Sequence, residues 1–187
     1  MPKDQQVRLP VVKSETVFAG KIWDVIRESF NFGSDTLTRE FVQHPGAVAI
    51  LAVNDHDDLL LIRQYRHPVK SYLWEIPAGL LDVPGERLED AAARELLEET
   101  GYRAGRLEPL ISFYTTPGGN SEQISVFLAR ELTLIGYNEQ LEGEERELEV
   151  RWVPAAEALS AVLSSEIGSP SAVVGILAHA LQGQRSA

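Results

Sequence analysis

Cysteine is absent from this chain of 187 residues. Its absence excludes a disulfide framework, a thiolate metal site and a cysteine nucleophile. No apolar run reaches the roughly 18 residues that a membrane-spanning helix needs, so no membrane partner is expected. Cationic residues are scarce: 17 Lys and Arg against 28 Asp and Glu give a formal net charge of −11. A protein that grips a phosphate backbone needs clustered cations, so nucleic acid is not expected as a partner either. The chain has no P-loop, no Gly-x-Ser-x-Gly, no His-Glu-x-x-His and no Gly-x-Gly-x-x-Gly. None of its histidines (His44, His56, His67, His179) stands at a metal-ligand spacing. Met1 to Pro10 is polar and carries no apolar signal region. Together with the missing cysteines, this predicts a cytoplasmic protein.

What is present suits a globular chain. Hydrophobic residues make up 44% and charged residues 24%, enough for a proper core. The length predicts one domain, or one domain with a small appendage. Residues 15–31 and 36–43 read as strands around the turn Phe32-Gly33-Ser34-Asp35, a small antiparallel element within residues 1–45. Residues 47–53 read as a buried strand, 54–58 as a turn and 59–65 as the returning strand. A long loop over 77–85 leads into a helix over about 86–100. Further strands are predicted over 107–114, 123–130 and 148–153, with helices over 154–163 and 171–181. This order predicts an α/β (α+β) fold, a mixed sheet between helices, with the main domain over 46–187.

The densest chemistry lies in Arg94-Glu95-Leu96-Leu97-Glu98-Glu99-Thr100-Gly101-Tyr102. At about 100° per residue, Glu95 and Glu99 lie one above the other with Glu98 beside them. Like charges so placed destabilise a helix by roughly 0.2–0.5 kcal/mol per pair, which a bound cation would offset. Carboxylate oxygens are hard ligands, so Mg²⁺ or Mn²⁺ is the natural ion. Leu88, Ala91 and Ala92 fall within about one quadrant of Glu95 and Glu99, so the acids face the body of the protein rather than solvent. Arg94, four residues before Glu98, pairs with it along the helix and orients a ligand carboxylate. Gly101 reads as the left-handed residue that ends the helix.

From Glu86 onward these residues resemble the Nudix box, the signature of hydrolases that cleave a nucleoside diphosphate linked to another group. Glu86, Arg94, Glu95, Leu96, Glu98, Glu99, Gly101 and Tyr102 each fall at the family spacing. Six residues separate Gly79 from Glu86 where the family pattern has five, and Pro84-Gly85 can absorb the extra one. The resemblance implies an α/β/α sandwich and a pyrophosphate bridged by two or three divalent ions, Mg²⁺ or Mn²⁺. It implies Glu95, Glu99 and the Ala78 carbonyl as metal ligands, Glu98 as a further candidate, and catalytic support from Glu98 and Arg94.

Pro117 lies fifteen residues after Tyr102, a spacing that marks the ADP-ribose pyrophosphatase branch of the family. By the same resemblance Ser121 and Glu122 face the terminal ribose, and Glu75 approaches the substrate. Arg63 and Arg66 have two level readings, contacts to the pyrophosphate or surface arginines. The acidic segment 141–149 reads as a solvated loop on composition. The resemblance assigns one of its glutamates as general base, Glu145 by preference or Glu144. It also implies a homodimer through residues 1–45, with an adenine pocket built from both chains. The implied reaction is hydrolysis of ADP-ribose to AMP and ribose 5-phosphate. Another nucleoside diphosphate sugar such as GDP-mannose is the second expectation, and a non-hydrolytic binding module the third.

Overall fold

The computed structural model describes residues 1–136 and 148–185. The chain divides into two compact units. The first comprises Met1–Pro45 with Tyr114–Glu122, the second Gly46–Phe113 with Gln123–Ala187.

The first unit is a three-stranded antiparallel sheet in the order β1-β2-β3: Val11–Phe18, Asp24–Phe32 and Asp35–Gln43. The single strand expected over 15–31 is thus two strands. The chain breaks at Gly20, whose N–H donates to the Asp24 carboxylate at 3.1 Å. A Cβ at Gly20 would collide with the Trp23 carbonyl oxygen, so only glycine allows this reversal. The segment Tyr114–Glu122 joins the unit through Val42, whose N–H donates to the Gly119 carbonyl at 2.9 Å.

The second unit holds β4 (Ala47–Ala52), β5 (Asp58–Arg66), β6 (Ser71–Glu75), β7 (Ala78–Leu80), β8 (Tyr102–Tyr114), β9 (Gln123–Leu134) and β10 (Glu149–Pro154). Its helices are α1 (Leu88–Thr100), α2 (Ala155–Leu163) and α3 (Pro170–Arg185). One sheet runs β7-β4-β9-β8, the other β10-β5-β6. Strand β4 is parallel to β9 and antiparallel to β7, so the sheet is mixed.

Every residue of β4 is buried, because both of its faces are covered. Ala47, Ala49 and Leu51 pack with Ala158, Ala172 and Ile176 of α2 and α3. Val48, Ile50 and Ala52 pack with Ala91, Ala92 and Leu96 of α1. Helices therefore cover both sides of the sheet, an α/β/α sandwich. Leu51 is fully buried in the α2/α3 layer. Leu51→Ala is expected to cost about 2–5 kcal/mol through lost burial and the cavity left behind. Urea unfolding with an unchanged slope and a lower midpoint is the expected result.

Strands β6 and β7 are additions to the sequence reading: β7 lies inside the loop expected over 77–85, and β6 in a stretch given no element. They are short, and Pro77 interrupts them because it cannot donate to a ladder. Leu88 also departs from expectation: it is 41% exposed, while Ala91 and Ala92 are fully buried. It opens the helix, where α1 has only begun to turn into the core.

Candidate active site

Helix α1 ends where the sequence said it should. Gly101 takes φ +73°, and its N–H donates to the Leu97 carbonyl at 2.9 Å. This cap fixes the last two turns, which carry the glutamates. They meet β7 at a cavity of about 480 Å³, whose lining includes Gln64, Arg66, Ala78, Gly79, Asp82, Arg94, Glu95, Glu98 and Glu99.

Arg94 is the hub. Its Nε and one terminal nitrogen donate to the two oxygens of Glu86 at 3.1 and 3.0 Å. The other terminal nitrogen donates to Glu95 at 2.6 Å and Glu98 at 3.1 Å. The extra residue between Gly79 and Glu86 thus leaves Glu86 within reach, and Gly85 at φ +81° absorbs it in the loop. Arg94 holds the Glu86 carboxyl below the usual carboxylate range. Burial pushes the Glu95 carboxyl up, against the opposing pull of Arg94. The same acids, through their hydrogen bonds, raise Arg94 well above the ordinary guanidinium value.

Glu99 is only 7% exposed, and its Oε2 accepts the Ala78 N–H at 2.9 Å. That bond ties the helix to β7, beside the Ala78 carbonyl. Gly79 completes the seat: a Cβ there would overlap the Glu95 carboxylate carbon and both its oxygens. The carboxylate thus rests directly on backbone, which only glycine permits.

Divalent-ion chemistry can be tested on this donor set. Among the described residues, no three Asp, Glu or His side chains already converge on a single metal position. The reason is visible: Arg94 takes up Glu86, Glu95 and Glu98, while Glu99 is turned onto Ala78. The donors themselves are all oxygens, carboxylates beside a backbone carbonyl, on the wall of one cavity. Such a set fits Mg²⁺ or Mn²⁺ and does not suit a soft ion.

Arg66 lines the cavity, and Glu75 anchors it. Glu75 is buried and accepts both ends of the Arg66 guanidinium, at 2.9 and 2.7 Å. Arg63 is placed elsewhere. It is not among the cavity-lining residues; it ion-pairs with Glu149 at 3.3 Å and stacks over the Tyr72 ring at 4.8 Å. Pro117 and Glu122 belong to the first unit. There Glu122 accepts the Thr115 hydroxyl at 2.7 Å and lies 3.4 Å from His44 Nε2. Glu144 and Glu145 lie outside the described residues. Gln64 and Asp82 line the cavity and were not singled out from the sequence. Gln64 stands two residues before Arg66, on the same face of β5, which period-2 alternation could have revealed.

A NUDIX domain model matches residues 43–171 of this chain. The chain belongs to the NUDIX family. Among its relatives is an ADP-ribose pyrophosphatase of Mycobacterium tuberculosis, 42% identical over 172 residues, covering 91% of this chain and 83% of the relative. An ADP-ribose pyrophosphatase of Bacillus subtilis is 39% identical over 179 residues, covering 93% and 96%. A crystal structure of an ADP compounds hydrolase superposes with a TM-score of 0.72 at 26% identity, covering 97% of this chain and 98% of that one. No helix among the described residues is long and apolar enough to cross a membrane.

Proposed function

We propose that this NUDIX hydrolase cleaves the pyrophosphate of ADP-ribose and related ADP-sugars, giving AMP and ribose 5-phosphate, with Mg²⁺ or Mn²⁺ as cofactor. The observation that carries this reading is the convergence of Glu95, Glu98 and Glu99 with the Ala78–Gly79 backbone on one cavity. The ADP-ribose pyrophosphatases among its relatives support the choice of substrate.

Glu95, Glu99 and the Ala78 carbonyl would hold the ions, two or three of them, with Glu98 at the edge of the set. Bound divalent ions offset the pyrophosphate charge and lower the pKa of an attacking water. The chain's own residues do the rest. Arg94 holds Glu95 and Glu98 in place by charge-assisted hydrogen bonds. Arg66 presents its guanidinium at the cavity, braced by Glu75, where it can meet a phosphate oxygen. Glu145, or Glu144, takes the proton of the water as it attacks phosphorus. The phosphoanhydride bond breaks and the leaving phosphate carries away the bridging oxygen. Pro117 shapes the turn leading to Ser121 and Glu122, and Glu122 accepts a hydroxyl of the terminal ribose.

A panel of ADP-ribose, ADP-glucose, GDP-mannose, NADH and dGTP, with and without Mg²⁺ or Mn²⁺, tests the reading. Cation-dependent release of AMP from ADP-ribose, well above the rest, is expected. Preference for GDP-mannose would keep the glutamate chemistry and remove the roles given to Pro117 and Glu122. Binding without turnover would make the protein a sensor.

The protein works in the cytoplasm as a homodimer, with residues 1–45 as the dimerisation element and 46–187 as the hydrolase domain. The first unit has little core of its own and leaves Val12, Phe18, Ile22 and Phe32 each more than half exposed in the single chain. Light scattering at micromolar concentration should give twice the chain mass, and Phe18→Glu should lower it towards one chain. A monomeric wild-type mass would remove the dimer.

A further inference from the structure

The second unit has another cavity, of about 350 Å³, between α2, α3 and the far end of the β sheets. It shares no lining residue with the glutamate cavity. Leu59 borders this one and Arg66 the other, at opposite ends of β5, which separates them by about 20 Å along the strand. Leu59, Leu159 and Ile176 give it an apolar floor.

Its polar groups have unequal needs. His179 Nε2 lies 3.0 Å from the Asp57 carboxylate, so the acid of the cavity is already engaged. Asp57 itself is fixed in the left-handed region at φ +61°. Its carbonyl accepts the Ala155 N–H at 3.1 Å, and its N–H donates to the Asn54 carbonyl at 3.2 Å. Arg130, within β9, also lines the cavity and is partly buried. Among the described residues its side chain makes no hydrogen bond or ion pair. A half-buried guanidinium with five donors and no acceptor, over an apolar floor, suits a carboxylate or phosphate with a compact apolar body.

We propose that this cavity is a second binding site, for a small amphipathic organic anion. Arg130 takes the anionic group and the floor formed by Leu59, Leu159 and Ile176 takes the body, while the Asp57 carboxylate stays engaged by His179. The site stands apart from the hydrolase reading, since none of its residues takes part in that chemistry.

Three probes with one ring and three charges test it: benzoate, benzyl alcohol and benzylamine, titrated into the full chain and followed by backbone amide NMR. Benzoate should shift the amides of Leu159 and Ala180 saturably, with the other two at least tenfold weaker. Arg130→Gln should weaken benzoate by about tenfold or more. Ala180→Leu should abolish its binding by filling the space, and a spectrum otherwise unchanged shows that the fold is kept. Both variants should hydrolyse ADP-ribose as the wild type does. The proposal is overturned if no saturable shifts appear, if benzyl alcohol or benzylamine binds as well as benzoate, or if Arg130→Gln leaves benzoate binding unchanged. Shifts confined to the glutamate cavity would overturn it as well.

Discussion

Glu99→Gln lowers kcat for ADP-ribose by about two to four orders of magnitude and leaves the melting temperature near that of the wild type. The size follows from the several kcal/mol that a bound cation contributes to the transition state, at about 1.4 kcal/mol per decade of rate. The neutrality for folding follows from local geometry. Glu99 is buried, and its described structural bond is acceptance of the Ala78 N–H at 2.9 Å. A glutamine oxygen can accept that bond in the same volume. The substitution also removes a like charge four residues from Glu95, a repulsion worth roughly 0.2–0.5 kcal/mol. What glutamine cannot supply is the full negative charge at the wall of the cavity. The cation concentration for half-maximal rate should therefore rise as kcat falls. Near-wild-type turnover would mean that Glu99 only pins β7 to α1 and that the ions are held by other groups.

Helix α1 is the most legible element because its signals are local. The 3.6-residue period of Ala91, Ala92, Leu96 and Glu99 and the stop at Gly101 lie within one segment. Strand β4 is legible for a related reason, since an unbroken apolar run bounded by turns predicts a strand buried on both faces. The short strands β6 and β7 were not read, since five and three residues around Pro77 carry too little pattern. They exist because β5 and β4 supply partners: Trp74 pairs with Arg63, and Gly79 with Val48.

In the site, the contact of Arg94 to Glu98 is a sequence neighbour effect and could be read. Its two bonds to Glu86 depend on how a loop folds back and could not. Glu75 shows the same limit. Its bidentate bond to Arg66 joins two residues that the β5–β6 register sets opposite Ile62 and Ser71 rather than opposite each other, so no pairing rule announces it. Arg63 and Arg66 share one pair of readings in the sequence. Three residues apart on a strand they fall on opposite faces, which the two-residue period already implies.

Gly79→Ala separates the seat of Glu95 from the fold. Gly79 does not have a positive φ, so alanine fits its backbone. The three atoms that the added Cβ would meet first all belong to the Glu95 carboxylate, the far end of a flexible side chain. The fold can yield there at little cost, and the lower chain entropy of alanine in the unfolded state offsets part of it. The melting temperature should therefore change little. The carboxylate, however, must leave its place on β7 by an ångström or more. A displacement of that size in a catalytic group costs about a hundredfold in rate. Gly168→Ala is the control, since nothing lies within 4 Å of its Cβ position. The double variant Gly79→Ala with Glu95→Asp carries the argument further. Aspartate is shorter by one methylene and draws the carboxylate back from the new methyl group. Its rate should exceed the product of the two single effects, the signature of groups that share one space. If the effects simply multiply, the backbone seat at Gly79 does not set where Glu95 acts.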